Sequence, residues 1–97
     1  MGDKKELPKK AVLVLVRGRV QGVGFRYEAK AFARALNLFG WITNLPDGGV
    51  ETYAEGEIQA IDRYIVWLQK GPPGAKVISI DVSERAYTSK YHQFTIE

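Results

Sequence analysis

The spacing of apolar positions along the chain predicts two helices. Both helical segments have apolar residues three, four, seven and eight positions apart, which places them on one face. The first segment runs from about 25 to 36, and its apolar face comprises Phe25, Ala29, Phe32, Ala33 and Leu36. The second runs from about 57 to 70, and its face comprises Ile58, Ile61, Ile65 and Leu68. Asn37 and Gly71 tolerate left-handed backbone, so we expect them to end the two helices.

Five other segments have the pattern of strands. Residues 11–17 are apolar up to Arg17, which is typical of a central strand covered on both faces. Residues 40–44 and 50–55 flank the turn signal LPDGG (45–49) and therefore predict a β-hairpin. Residues 93–96 predict a short last strand. Residues 77–84 alternate, which predicts a strand with these inward residues: Ile78, Ile80 and Val82.

The resulting order of elements is β-α-β-β-α-β followed by the short strand. This order predicts an α+β protein with the ferredoxin-like split β-α-β plan, in which two helices cover one face of an antiparallel sheet. Right-handed crossovers give the strand order 4-1-3-2 for the first four strands. The pattern leaves the position of the last strand open.

The connection between the first strand and the first helix, GRVQGVGFR (18–26), is unusual in composition. Its glycines suit a tight loop, and the helix N-terminus that follows leaves backbone N–H groups available for an anion. Arg26 falls in the first helical turn, where the helix dipole disfavours a cation. The hypothesis is that an anion sits in this loop and Arg26 binds it; the alternative is a plain connection with a solvated arginine. The spacing matches neither the P-loop nor the dinucleotide-binding pattern.

A second polar residue is expected at the same edge of the sheet. The strand after the first helix runs parallel to the first strand, so its end at Asn44 lies beside the glycine loop. Arg26 offers a planar fork of donors for phosphate oxygens, and Asn44 can hold and orient a water. The backbone that could wrap the remaining oxygens belongs to Arg19, Val20, Gln21, Gly22, Val23 and Gly24.

This clamp has no nucleophile and no evident general base, so its substrate needs a good leaving group. An acyl phosphate meets that need, because its carboxylate leaves without being protonated. Positioning and charge stabilisation would then supply most of the rate.

Composition narrows the possible classes of protein. The chain has no cysteine and one histidine, so we expect no disulfide, no thiol chemistry, no metal site and no cofactor. It has no apolar run of membrane length and no signal peptide, which predicts a cytoplasmic protein. The net charge is +3, much of it from lysines before residue 11, and we expect residues 1–10 to be a disordered basic lead-in. The near-neutral remainder suits a small anion rather than nucleic acid or a membrane, and we expect a monomer.

Two motifs resemble those of the acylphosphatase family. GRVQGVGFR (18–26) is similar to the family's first motif, and GWITNLPDGGV (40–50) followed by Glu55 and Gly56 is similar to the second. QKGPP (69–73) fits a feature after the family's second helix, and the resemblance covers about residues 11–97 as one domain. It implies metal-independent hydrolysis of the carboxyl–phosphate bond of acyl phosphates. It assigns Arg26 to phosphate binding, Asn44 to the attacking water and the backbone of residues 19–24 to the phosphate cradle, which phosphate or sulfate could also occupy.

Two other functions stay open. Ferredoxin-like sheets also form RNA-binding modules that stack bases on aromatic residues, although the first strand here has none. The chain could also be a regulatory or structural domain that keeps the anion site without turnover. Four positions depart from residues that the family often has: Ile42, Thr43, Leu45 and Thr52. Neither Arg26 nor Asn44 is among them.

Overall fold

The computed structural model describes residues 7–97. Within that range the elements are β1 (Lys9–Arg19), α1 (Phe25–Ala35), β2 (Phe39–Asn44), β3 (Val50–Glu57), α2 (Ile58–Leu68), β4 (Lys76–Arg85) and β5 (Phe94–Ile96). The strands form one sheet in the order β4-β1-β3-β2-β5. The predicted α+β ferredoxin-like fold and the order of the first four strands are thus confirmed.

Two details of the prediction change. The first four strands are antiparallel, but β5 runs parallel to β2, so the sheet is mixed rather than wholly antiparallel. The predicted lead-in is also too long, because β1 begins at Lys9 and its first two residues pair with Glu57 and Gly56 of β3. Residues 1–6 of that lead-in lie outside the described residues.

The core lies between the sheet and the two helices. Helix α1 packs over β2 and β5, and α2 packs over β1 and β3. One face of β1 contributes Val12, Val14 and Val16, which are fully buried. Leu13 and Leu15 on the other face are only half-buried, because no helix covers that face; the expectation that β1 is covered on both faces is therefore wrong.

The buried face of α2 is centred one position away from the predicted isoleucine stripe. Ile61, Tyr64 and Leu68 are buried, whereas Ile58 and Ile65 are half-buried. Tyr64 can take this place because its hydroxyl is paired with Thr52 Oγ1 at 2.9 Å, which satisfies both polar groups inside the core. Burial raises the pKa of Tyr64, so this phenol stays protonated as a core hydrogen-bonding group.

Strand β4 differs most from its predicted burial. Ile78 is 75% exposed and Val82 is 45% exposed, although both were expected inward. β4 is an edge strand beside β1, at the margin of the sheet area that the helices cover. Its apolar side chains therefore have little to pack against. The pairing register also shifts between Arg17 and Gly18, which leaves Ile78 as an extra residue opposite them.

Candidate active site

The segment between β1 and α1 is shorter than the glycine-rich stretch suggested. Gly18 lies inside β1, where a Cβ atom would meet the carbonyl oxygen of Lys76 at 2.1 Å, so a glycine is needed for the close approach of β4. Arg19 is the last residue of β1 and lies opposite Lys76. The loop proper is therefore residues 20–24.

Glycines give this loop its shape. Gly22 and Gly24 have φ values of 75° and 77°, and no atom lies within 4 Å of the position that a Cβ would take at either residue. Their role is therefore conformational, since left-handed backbone is easy for glycine and the space beside them is open. The loop is anchored at both ends by Val20 and Phe25, each 1% exposed. Where left-handed and right-handed backbone conformations alternate, successive N–H groups turn toward a common point, as in anion-binding nests.

Helix α1 begins directly after this loop without a side-chain cap. Its N-cap residue is Gly24, which has no side chain to accept hydrogen bonds from the first turn. The first N–H groups of the helix thus face the loop, together with the positive end of the helix dipole. An anion in the loop would accept hydrogen bonds from these N–H groups and would interact favourably with the dipole.

Arg26 is the second residue of α1 and is half-buried. Within residues 7–97 the ion pairs are Lys10 with Asp62 and Arg17 with Asp47, so Arg26 has no carboxylate partner among them. A half-buried guanidinium in the positive first turn of a helix is unfavourable without a negative charge nearby. An anion bound in the loop would offset this unfavourable placement of the Arg26 charge.

Asn44 is the last residue of β2 and points to the helix-covered face of the sheet. It pairs with Val50, which in turn pairs with Val16, so the three residues form one row across the sheet. Because side chains alternate along a strand, Asn44 shares its face with the buried Ile42. Its Oδ1 is buried and has no hydrogen-bond partner within residues 7–97. Such an acceptor is costly to bury unless a ligand or water donates to it.

The side chain of Gln21 joins the loop to the hairpin that follows Asn44. Its Nε2 donates to the carbonyl oxygens of Leu45 at 2.8 Å and Gly49 at 2.9 Å. These contacts hold the glycine loop against the end of β2. The sequence pointed to Gln21 only for its backbone; one long amide side chain among glycines and valines was the available signal for this bridge.

The hairpin turn carries the nearest acidic group, which is already engaged. Asp47 accepts the N–H of Gly49 at 3.0 Å and pairs with Arg17 Nη1 at 2.7 Å. The Gly49 N–H and then the Arg17 guanidinium lower the pKa of Asp47, so it stays ionised and is a poor general base. The carboxylate of this turn is thus already paired with Arg17 and Gly49.

Another depression lies on the opposite, helix-free face of the sheet. It has a volume of about 580 Å³, and its lining includes Trp41, Thr43, Glu51, Lys90 and Glu97. Two of these residues are carboxylates, which would repel a phosphate. We therefore place the candidate anion site at the loop and not in this depression.

Trp67 and His92 are two other side chains with ligand-binding chemistry. Trp67 packs edge-on against Phe25 and stacks with Phe32, at centroid distances of 5.4 and 5.9 Å, so it is a packing residue. His92 is exposed, in the segment before β5. Within the described part of the chain no three histidine, aspartate or glutamate side chains gather as a metal site requires.

Neither helix within residues 7–97 is long and apolar enough to cross a membrane.

Comparison with known proteins identifies the relatives of the chain. A family model described as acylphosphatase matches residues 12–96. An acylphosphatase of Methylococcus capsulatus is 47% identical over 87 residues, covering 90% of this chain and 95% of the relative. An acylphosphatase of Acaryochloris marina is 50% identical over 72 residues, covering 74% and 77%. The crystal structure of the Bacillus subtilis acylphosphatase superposes with a TM-score of 0.88 at 39% identity, covering 91% of this chain and 98% of that one.

Proposed function

Because the chain belongs to the acylphosphatase family and is an enzyme that hydrolyses acyl phosphates, we propose how its residues perform the reaction. The loop of residues 20–24 and the N-terminus of α1 form a cradle for the phosphoryl group, with the backbone of Arg19 at its entrance. Arg26 binds the phosphoryl oxygens, and Asn44 holds the attacking water. The backbone groups of the cradle belong to Val20, Gln21, Gly22, Val23 and Gly24.

Charge and preorganisation support the role of the cradle. The uncapped helix N-terminus and the guanidinium of Arg26 both stabilise negative charge on the equatorial oxygens of the phosphoryl group. The N–H groups of the helix start are held by folded backbone before substrate arrives, so they need little reorganisation as charge shifts in the transition state. The buried ends of the loop, Val20 and Phe25, supply that rigidity.

The buried Oδ1 of Asn44 is the observation that carries the proposal. It accepts no hydrogen bond from residues 7–97, and a water O–H is the donor that suits it. A water held this way directs a lone pair of its oxygen toward the phosphorus. As the water oxygen bonds to phosphorus, the bond from phosphorus to the carboxyl oxygen breaks, and the carboxylate departs on the far side without needing a proton. The proton that the water loses goes to an oxygen of the phosphate formed, so the reaction needs neither a general acid nor a protein base.

The proposal is tested first by substrate choice. We expect turnover of benzoyl phosphate but not of p-nitrophenyl phosphate, whose phenolate is a poorer leaving group, and we expect EDTA to leave the rate unchanged. Initial rates with each substrate, with and without the chelator, measure this. Turnover of both substrates, or loss of activity in EDTA that added metal restores, would contradict the proposal.

The role of the water is tested by Asn44→Ala. Removing the acceptor should lower kcat by about 10²-fold and leave KM within about threefold, because the phosphate cradle is intact. Asn44→Asp keeps the size of the side chain and an acceptor oxygen, and serves as the matched variant. Full activity of the alanine variant would remove Asn44 from the mechanism.

An RNA-binding function is less well supported. The aromatic side chains on the open sheet face contact one another: Tyr53 is stacked on Trp41 at a centroid distance of 6.2 Å and is tilted against Tyr91 at 5.2 Å. Glu51 on the same strand would repel a phosphate backbone. Filter binding that is tight and sensitive to salt would favour RNA over this proposal.

The assembly and location stay predictions. The monomeric state expected from the sequence is tested by sedimentation at assay concentration. The cytoplasmic location expected from the sequence is tested by cell fractionation.

A further inference from the structure

We propose that the side chain of Gln21 is a positioning residue, which fixes the water-holding Asn44 relative to the phosphate cradle. This inference rests on the proposed function, and it assigns the side chain a role separate from the backbone of the same residue. Its basis is the pair of hydrogen bonds from Nε2 to Leu45 O and Gly49 O, which span 24 and 28 positions in the chain.

The two accepting carbonyls are the ends of the hairpin turn. Leu45 N donates to Gly49 O at 2.8 Å, and Gly48 N donates to Leu45 O at 3.1 Å. Gln21 therefore joins the turn at the two groups that close it. Since Leu45 directly follows Asn44, this attachment lies one peptide bond from the residue that holds the water.

The chemistry of the contact requires an amide group at this length. Both neighbours are carbonyl oxygens, so only the NH₂ end of the Gln21 amide can face them, and it supplies one hydrogen to each. Glutamate would set oxygen against oxygen, and asparagine is one methylene too short to reach both acceptors. The side chain thus has both the donors and the reach for this double contact.

The cradle does not depend on this contact for its own attachment. Val20 and Phe25 bury the two ends of the loop in the core, and Gly22 and Gly24 set its backbone shape. Loss of the Gln21 contact should therefore leave the phosphate cradle in place. The hairpin would gain freedom relative to it, and the water would lose its alignment with phosphorus.

The experiment separates positioning from binding. In Gln21→Met, which keeps the length of the side chain without donors, kcat should fall about 10-fold to 100-fold, as a misplacement of about 1 Å can cause. KM for benzoyl phosphate and the inhibition constant for inorganic phosphate should stay within about threefold. Gln21→Asn, which is polar but too short, should behave similarly and guards against a folding defect of the first variant.

A matched control is available at the same hairpin. Arg17 contacts the outer part of the turn through Asp47, so Arg17→Met removes an exposed tether while the two hydrogen bonds of the Gln21 side chain stay in place. Its kcat should equal that of the wild type, and thermal melts of all variants report their stability.

Each other outcome overturns the inference. If both Gln21 variants melt earlier but keep kcat, the side chain only stabilises the turn. If KM and the phosphate constant rise with kcat unchanged, it serves phosphate binding instead. Full activity of Asn44→Ala contradicts the proposed function itself. Impaired activity of Asn44→Ala together with full activity of both Gln21 variants contradicts this inference alone.

Discussion

The two strand-to-helix junctions of the molecule differ sharply, although they occupy equivalent places in the fold. β1 and α1 are separated by residues 20–24, whereas β3 ends at Glu57 and α2 begins at Ile58 with no loop between them. The first helix has Gly24 as its N-cap at φ 77°; the second has Glu57 at φ −62° and ψ 141°, an ordinary extended residue. Because β1 and β3 are antiparallel, the two junctions lie at opposite ends of the sheet.

At the second junction the chain itself pairs with the start of the helix. Ile58 N donates to Pro8 O at 3.1 Å, so the first N–H of α2 already has an acceptor. At the first junction the helix instead follows Gly22 and Gly24, and the space that a Cβ would take at these two glycines is open. A helix N-terminus is thus a candidate anion site only where the connection leaves room for an anion.

Among variants that test the difference between the two junctions, Arg26→Gln is expected to have the largest effect on activity. Loss of the charged fork at the open junction should lower kcat/KM by about 10²–10³-fold and weaken phosphate inhibition in parallel, because binding and transition-state stabilisation use the same guanidinium. Steady-state kinetics on benzoyl phosphate with phosphate as inhibitor measure both. Arg63→Gln, on the exposed side of α2, is the matched control and should have no effect.

Phosphate titration of the wild type tests whether the two helix N-termini differ in anion binding. Backbone amide resonances of residues 20–27 should shift on addition of phosphate, while those of residues 58–60 should not. Equal shifts at both helix N-termini would mean that any helix start in this fold attracts the ion.

An intermediate effect is expected from Gly24→Ala. The alanine must adopt φ near 77°, which costs about 1–2 kcal/mol of stability or moves the loop. We expect about a tenfold loss of kcat/KM, since small displacements of the cradle are magnified in the rate.

Gly74→Ala is the control for that variant. Gly74 has φ 93° and equally open space beside it, but it lies outside the cradle. The free energy of unfolding of Gly74→Ala should fall at least as much as that of Gly24→Ala, as measured by chemical denaturation. Its kcat/KM should stay near the wild-type value. Equal activity losses in the two variants would make the effect one of stability alone.

The smallest effect is expected from Asp47→Asn, at the exposed turn beside the open junction. The pKa of Asp47 is lowered from its ordinary value of 3.8 by the Gly49 N–H and by Arg17. Its ionised form therefore stabilises the folded state above that ordinary value, and this contribution is lost as the pH falls through the lower folded-state pKa. The wild type should melt slightly above the variant at about pH 7, and the difference should vanish at about pH 2. A difference that is unchanged by acid would contradict this assignment.

Much of the fold was predictable because local pattern and global packing agree. The apolar spacing of α1 located its buried residues, and Asn37, at φ 59°, ends that helix as expected. Predictions failed where burial depended on distant partners. Tyr64 occupies the core because Thr52 pairs with its hydroxyl, and Ile78 is exposed because the register shift beside Gly18 makes it an extra residue of β4. Neither partner is visible in the periodicity of its own segment.

For the proposed site, the sequence by itself determined the residue types: a glycine loop, an arginine in the first helical turn, and an asparagine at the end of a strand predicted to run parallel to the first. Residue type and element order suffice for that, because they specify donors, charge and which edge of a sheet each strand end reaches. Only the tertiary structure decided that Asn44 Oδ1 is buried without a protein partner and that Gln21 joins the loop to the hairpin. It also paired the first N–H of α2 with Pro8 O and left the space beside Gly22 and Gly24 open at the first junction. These features depend on which atoms meet across long stretches of chain, and such contacts arise only when the sheet and its helices have assembled.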